Sequence, residues 1–306
     1  MTSVRVGRRS ISVSHPDKVL FPDAGITKAD LVSYYRAVAG PMLGHVRGRP
    51  VMMERYPEGV SKKGFLQKDV PDWFPGWVPR VKVTKAGGTI THAVCDDQTT
   101  IVYLASQNCV TFHVWLSRAD QLERPDRLIF DLDPATEDDF ELVRTTAQAL
   151  RHLLEDLGLV PFVKTSGSRG LHVEVPLTRR EGFDGVRAFA RDAATVLVRL
   201  DPERLTIETR KASRGGRLFV DTLRNGYAQT AVAPYSVRPR PTAPVATPLV
   251  WDELDDRSLR PDSWTVANVP ERLAASGDPW AAMTRRARSL SQPRRRLDRL
   301  LADSDG

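Results

Sequence analysis

Cysteine is nearly missing from this chain: Cys95 and Cys109 are the only two in 306 residues. That excludes a disulfide framework and suits a reducing cytoplasm. Long apolar runs are missing as well. No stretch approaches the ~20 apolar residues that a membrane-spanning helix needs. Met1 to Ser10 carries arginines but no apolar segment of the kind a secretory signal requires. There is no internal repeat, and neither a Ser-His-Asp order nor a nucleophile elbow is present, which argues against a serine hydrolase.

The formal net charge is +7, a value that invites a nucleic-acid reading. Its distribution tempers this. Between Arg285 and Arg299 stand seven arginines against the single acid Asp298. The rest of the chain is therefore near neutral, and an acidic ligand there must be held by local clusters of Lys and Arg. The arginine-rich end reads as an exposed basic helix or a nonspecific DNA contact.

Strand and helix signals mix throughout. Thr27-Lys28-Ala29-Asp30 predicts a capped helix start, followed by Leu31, Tyr34, Tyr35 and Val38 at helical spacing. Strands are expected at 50–56, 81–83, 89–94, 108–116, 127–132, 160–164, 171–175 and 217–221. Helices are expected at 98–107, 137–157 and 183–200. Residues 59–76 read as a loop rich in Gly, Lys and Pro, and the proline-rich 229–249 as a fixed-path loop. From Trp251 onward the pattern is helical. The fold class is α+β, or mixed α/β.

Two aspartates dominate the chemistry. In Phe130-Asp131-Leu132-Asp133-Pro134 the acids lie two residues apart, so on a strand they share a face. Like charges that close favour a cation between them, and hard oxygen ligands suit magnesium or manganese. A third strand-end carboxylate occurs at Asp221, in Leu218-Phe219-Val220-Asp221. Three such acids meet the needs of two-metal phosphoryl transfer, in which one ion activates a 3′ hydroxyl and the other holds a triphosphate. A solvated acidic strand end that caps the next helix is the plain alternative, and an aspartyl-phosphate phosphatase is another. The turn Thr165-Ser166-Gly167-Ser168-Arg169-Gly170-Leu171-His172 offers backbone N–H groups and phosphate donors, though a simple hairpin needs no more. His92, Cys95, Cys109 and His113 have the residue types of a zinc site, but regular structure between them argues against one.

The ordered motifs Asp131-Leu-Asp133-Pro, Thr165 to His172 and Phe219-Val-Asp221 resemble those of the archaeo-eukaryotic primase superfamily. The branch most similar is the polymerase domain of bacterial ligase D, used in non-homologous end joining. Shared segments include His15 to Pro22, Thr27 to Asp30, Gly64 to Lys68 and Thr230 to Arg238. The resemblance implies a primase-polymerase fold with central β-sheets flanked by helices. It implies a catalytic domain over 1–275, with an N-terminal part to about 120 and the motifs over about 121–250, followed by a basic helix or tail at 276–306.

It also implies roles. Asp131, Asp133 and Asp221 would bind Mn2+ or Mg2+ and carry the catalysis. His113, Ser166, Arg169, His172, Arg214 and Arg238 would bind the incoming nucleotide. Lys18 and Lys28 would hold a 5′-phosphate, and Phe65 would stack at the gap's edge; taken singly, the lysines could be solvated charges and Phe65 a loop anchor. The implied activity is a DNA-dependent polymerase or primase that fills short gaps in 5′-phosphorylated DNA from NTP or dNTP, with ribonucleotides preferred. A DNA-end binding module without synthesis is the rival. Ku and a DNA ligase would be partners, in a bacterial cytoplasm at the nucleoid. Three positions depart from the pattern. Leu66 replaces a second aromatic, Arg169 replaces a lysine, and Glu54 stands where a base is frequent. With no ligase or nuclease module in the sequence, a stand-alone paralogue is expected.

Overall fold

The computed structural model describes residues 2–85, 87–136 and 139–303. The chain divides into two compact units that do not follow chain order. The first comprises Met1–Asp120, Thr230–Thr247 and Asp262–Asp278; the second comprises Gln121–Gln229, Pro248–Pro261 and Pro279 onward.

The first unit is built on an antiparallel sheet in the order Thr230–Val232, Cys109–Trp115, Arg49–Arg55, Gly88–Cys95, Arg80–Lys85. The short strand Phe65–Gln67 adds to Arg49–Arg55. The helix Lys28–Val46 starts as its sequence predicts. Thr27 Oγ1 accepts from Asp30 N–H, and the Asp30 carboxylate accepts from Thr27 N–H at 2.8 Å. Leu31, Val38 and Met42 of this helix, Ile101 and Leu104 of the helix Gln98–Ser106, and Val51, Met53 and Phe112 of the sheet share one buried core. Each such side chain contributes about 1.5–3 kcal/mol by leaving water. Tyr35 binds the returning segment into that core: its hydroxyl donates to Val110 O at 2.6 Å and accepts from Val237 N–H at 3.0 Å.

The second unit carries a sheet that is six-stranded among the described residues, in the order Leu205–Thr206, Leu218–Asp221, Arg127–Asp133, Leu171–Pro176, Phe162–Thr165, Pro248–Leu249. Its pairs are antiparallel except the first. The helices Phe140–Asp156 and Phe183–Leu200 both pack against the strand Arg127–Asp133. Their buried positions, such as Val143, Ala147, Leu150 and Leu154, recur every three or four residues.

Several expectations change. The predicted helix start at Glu137 and Asp138 lies outside the described residues. The proline-rich stretch is not all loop, because Thr230–Val232 lies ahead of its first proline and pairs with Cys109–Trp115. The expected loop 59–76 likewise contains the strand Phe65–Gln67. The basic C-terminal segment, expected as a helix or tail, contains the helix Ser291–Asp303, which packs against the helix Phe183–Leu200. Leu290 and Leu297 are buried, Arg294 pairs with Asp192 at 2.7 Å, and Arg296 donates to the carbonyl of Asp156 at 3.1 Å. Apolar positions inside the arginine run make the difference.

Candidate active site

Along the strand Arg127–Asp133, Phe130 and Leu132 are fully buried while Asp131 and Asp133 are partly exposed. The two acids therefore share the open face, as period-two alternation requires. Strand register then supplies what spacing cannot. Asp131 stands directly opposite Asp221 on one side and His172 on the other, and His172 stands opposite Lys164. Directly opposed residues lie on one face, so Asp221, Asp131, His172 and Lys164 form a lateral row of charged and polar groups across four strands.

Within the row, Lys164 Nζ donates to His172 Nδ1 at 2.9 Å, and His172 Nε2 lies 3.4 Å from Asp131 Oδ1. Glu174 is 3.8 Å from Lys164 and 3.0 Å from Arg127, and all three are buried. Three arginines surround the acids. Arg169 and Arg214 each lie 3.6 Å from Asp133, and Arg224 lies 4.0 Å from both Asp131 and Asp221. Arg214 also stacks 3.7 Å above the Phe219 ring, which fixes its guanidinium.

Titration follows from these neighbours. Burial raises the Asp133 carboxyl and the Asp131 charge raises it further, against Arg169 and Arg214. Asp221 is also raised, by burial first and by Asp131 as well. Burial would raise Asp131 too, but His172, Arg224 and Lys164 outweigh it and hold it at about 2. Burial and the Lys164 charge push His172 down, keeping its ring neutral near pH 7.

The turn between the strands Phe162–Thr165 and Leu171–Pro176 is a hairpin, and it is shaped for close approach. Ser166 Oγ accepts from the N–H groups of Ser168 and Gly170 at 3.2 and 3.1 Å. A Cβ at Gly170 would stand 1.9 Å from the Leu132 carbonyl oxygen. Only glycine lets the turn press against that strand and set Arg169 beside Asp133.

The second unit thus brings together Asp131, Asp133, Asp221, Ser166, Arg169, His172 and Arg214. Sequence reasoning missed Lys164 and Arg224. A lysine in an otherwise apolar hairpin strand, and an arginine three residues after Asp221, were the available signals. Three carboxylates with two raised titrations match the donor set of a hard divalent cation. Among the described residues, no three His, Cys, Asp or Glu side chains converge as a finished metal cluster; the acids here face arginines instead.

The first unit holds the other expected residues. His113 Nε2 lies 2.9 Å from Glu54, and Tyr56 donates to the same carboxylate at 2.8 Å. Burial would raise Glu54, but His113, Tyr56 and the charge of Arg238 bring it down. Glu54, a departure from the family pattern in sequence, is therefore the acid that orients His113 within a group that includes Arg238. His92 contacts the Val51 carbonyl, and Cys95 and Cys109 are buried, their thiols pushed up by burial.

Lys18 is part-exposed and pairs with Glu58 at 3.0 Å. Lys28 is not a solvated charge: it is 3% exposed, and its amine reaches Ser14 Oγ at 3.2 Å. Burial lowers it, and the charges of Arg55 and Lys18 lower it further. A cation held among cations favours an anion. Phe65 is no packed anchor either, being 46% exposed. Arg55 lies over both Phe65 and Trp73, at 5.5 and 5.9 Å. Trp73, 59% exposed, escaped sequence reasoning because its Pro-Asp-Trp setting resembles any loop.

No helix among the described residues is long and apolar enough to cross a membrane. The family model for the LigD primase-polymerase domain matches residues 27–280. The chain is 37% identical to a multifunctional non-homologous end joining DNA repair protein LigD of Mycobacterium tuberculosis over 88% of its length, and spans 36% of that protein. It is 33% identical to the LigD of Pseudomonas aeruginosa over 95% of its length, spanning 35% of that protein. The chain thus spans about a third of the length of these relatives. A solved structure of the polymerase domain of M. tuberculosis ligase D, in complex with DNA, matches with a TM-score of 0.85 at 36% identity, covering 90% of this chain and 99% of that one. With the family model matching most of its length and the polymerase-domain structure matching its fold, the chain belongs to the LigD primase-polymerase domain family.

Proposed function

We propose that this chain is a DNA-directed nucleotidyltransferase that fills short gaps in 5′-phosphorylated DNA. The observation that carries the reading is the row in which Asp131 stands between Asp221 and His172, with Asp133 on the same face. The solved relative with its DNA supports a nucleic-acid substrate.

Asp131, Asp133 and Asp221 would hold Mn2+ or Mg2+, which supplies charge neutralisation at the phosphates and activation of the attacking 3′ hydroxyl. The chain's own groups bind and orient. Arg169, Arg214 and Arg224 present guanidinium forks suited to phosphate oxygens. Ser166 keeps its hydroxyl proton as a donor while its oxygen organises the turn. His172 offers Nε2–H. By the family resemblance, His113 and Arg238 would bind nucleotide as well. Lys18, Lys28 and Arg55 receive the 5′-phosphate, and Phe65 stacks on the end of the gap, an interaction worth about 1–3 kcal/mol per base.

Ribonucleotide preference, and work alongside Ku and a DNA ligase, belong to this reading through the family resemblance and through relatives whose names place them in non-homologous end joining. The deciding experiment is single-turnover extension of a 5′-phosphorylated gapped duplex with manganese and either NTP or dNTP. Extension with a preference for NTP supports the reading. Binding without extension under any metal would replace it with a DNA-end binding module.

A further inference from the structure

The strand Arg127–Asp133 has its acids at one end. At the other end, about 20 Å away by strand rise, the second unit gathers arginines from three separate segments. Arg124 donates to the Arg180 carbonyl at 2.6 Å. With Arg179 and Arg180 it lines an open recess of about 560 Å³. Arg179 is held in the left-handed region at φ 61°, a conformation a residue with a side chain adopts at a cost.

The basic C-terminal segment comes to the same place. Arg288 N–H donates to the Pro176 carbonyl, and the Arg288 carbonyl accepts from Thr178 N–H, both at 3.1 Å. The following residues are fastened by Glu181, which accepts from Ser289 Oγ and Leu290 N–H at 3.0 Å. Arg285 and Arg286 occupy the turn just before Arg288 and are exposed. The acids nearby are Glu123, Glu181 and the buried Asp126, and Glu181 is already engaged. Among the described residues no carboxylate pairs with Arg124, Arg180, Arg285, Arg286 or Arg288.

We infer that this surface is a second nucleic-acid site, which takes the phosphate backbone of duplex DNA without reading its sequence. Arginine suits phosphate oxygens, and the recess is too open and too polar to select a small apolar ligand. The inference rests on DNA being the substrate. The site lies on the same unit as the acids but at the opposite end of their strand, so duplex beyond the reacting end is what it would hold.

The test uses a blunt, gap-free duplex with no nucleotide, so that its outcome is independent of catalysis. Affinity is measured against salt concentration for the wild type, for Arg180→Ala/Arg286→Ala/Arg288→Ala, and for the same three positions changed to Lys. Each lost phosphate contact removes about 0.9 from the slope of log affinity against log salt. The Ala variant should therefore lose about 2–3 in slope with its melting temperature retained, and the Lys variant should keep most of it. A single Arg286→Glu exchange should shift the slope in the same direction. A wild-type slope in the folded Ala variant overturns the inference and leaves acidic proteins as the partner class. So does a Lys variant that loses as much as the Ala variant. If the wild type shows no extension but the slope falls as expected, the polymerase reading fails and this site stands.

Discussion

Lys164 donates a hydrogen bond from Nζ to Nδ1 of His172, at 2.9 Å. An ammonium has no lone pair to offer, so Nδ1 must accept and the neutral ring must carry its proton on Nε2. That N–H faces Asp131 Oδ1. A buried lysine thus sets which face of the ring donates. Lys164→Met should remove that constraint while Glu174 keeps Arg127 as its partner. Nitrogen chemical shifts of the His172 ring should show mixed tautomers, and extension should fall about 10–100-fold, the usual cost of losing an orienting partner. An unchanged ring spectrum and unchanged extension would show that Lys164 only fills space.

The glycine that seats the turn makes a steric prediction. At Gly170 a Cβ would overlap the Leu132 carbonyl, which is backbone and cannot swing aside. Gly170→Ala should destabilise the protein by about 1–3 kcal/mol, as forced overpacking does, measured by urea unfolding. Because the shift displaces Arg169 from Asp133, extension should drop by more than stability alone explains. Wild-type unfolding would contradict the close approach.

Metal binding and protons should compete at the acids. Asp133 and Asp221 titrate above the ordinary carboxylate value. Without metal, the folded chain therefore holds protons that the unfolded chain has already released, and these two groups add stability as pH falls through their raised folded values. Asp131 has the opposite sign: its contribution is present above the unfolded carboxylate pKa and is lost as pH falls toward about 2. The rise in melting temperature on adding manganese should hence be large near pH 7.5. It should shrink on acidification before ordinary carboxylates titrate, at about 3.9. A manganese effect constant down to pH 4 would place the ion elsewhere.

The cluster of Lys18, Lys28 and Arg55 predicts discrimination by phosphate. Wild-type protein should bind gapped DNA more tightly with a downstream 5′-phosphate than without. Lys28→Met should erase most of that difference, a loss of about 10–100-fold if a charge-assisted contact of about 1.5–3 kcal/mol is removed. Equal affinity of the wild type for both substrates would exclude the assignment.

The acids and the hairpin turn were readable because alternation and glycine placement are local signals. Asp131 and Asp133 had to share a face, and Thr27 had to cap a helix, whatever else the chain did. Register was beyond reach. That Asp131 lies opposite both Asp221 and His172 depends on pairing among strands far apart in sequence. Glu54 illustrates the same limit. It looked like an anomaly until strand pairing set Met52 opposite His113 and brought the acid to that ring. The burial of Lys28 was out of reach for a different reason: a lysine in the first turn of a helix normally faces water, and here the approach of Ser14 and Lys18 covers it.

The central claim is that Asp131, Asp133 and Asp221 form the centre at which nucleotides are transferred. Its most direct test is single-turnover extension by Asp131→Ala/Asp133→Ala on a 5′-phosphorylated gapped duplex, with binding to the same duplex measured in parallel. The account predicts that extension is abolished while DNA affinity stays within a few-fold of wild type. Extension that survives the double substitution would contradict it.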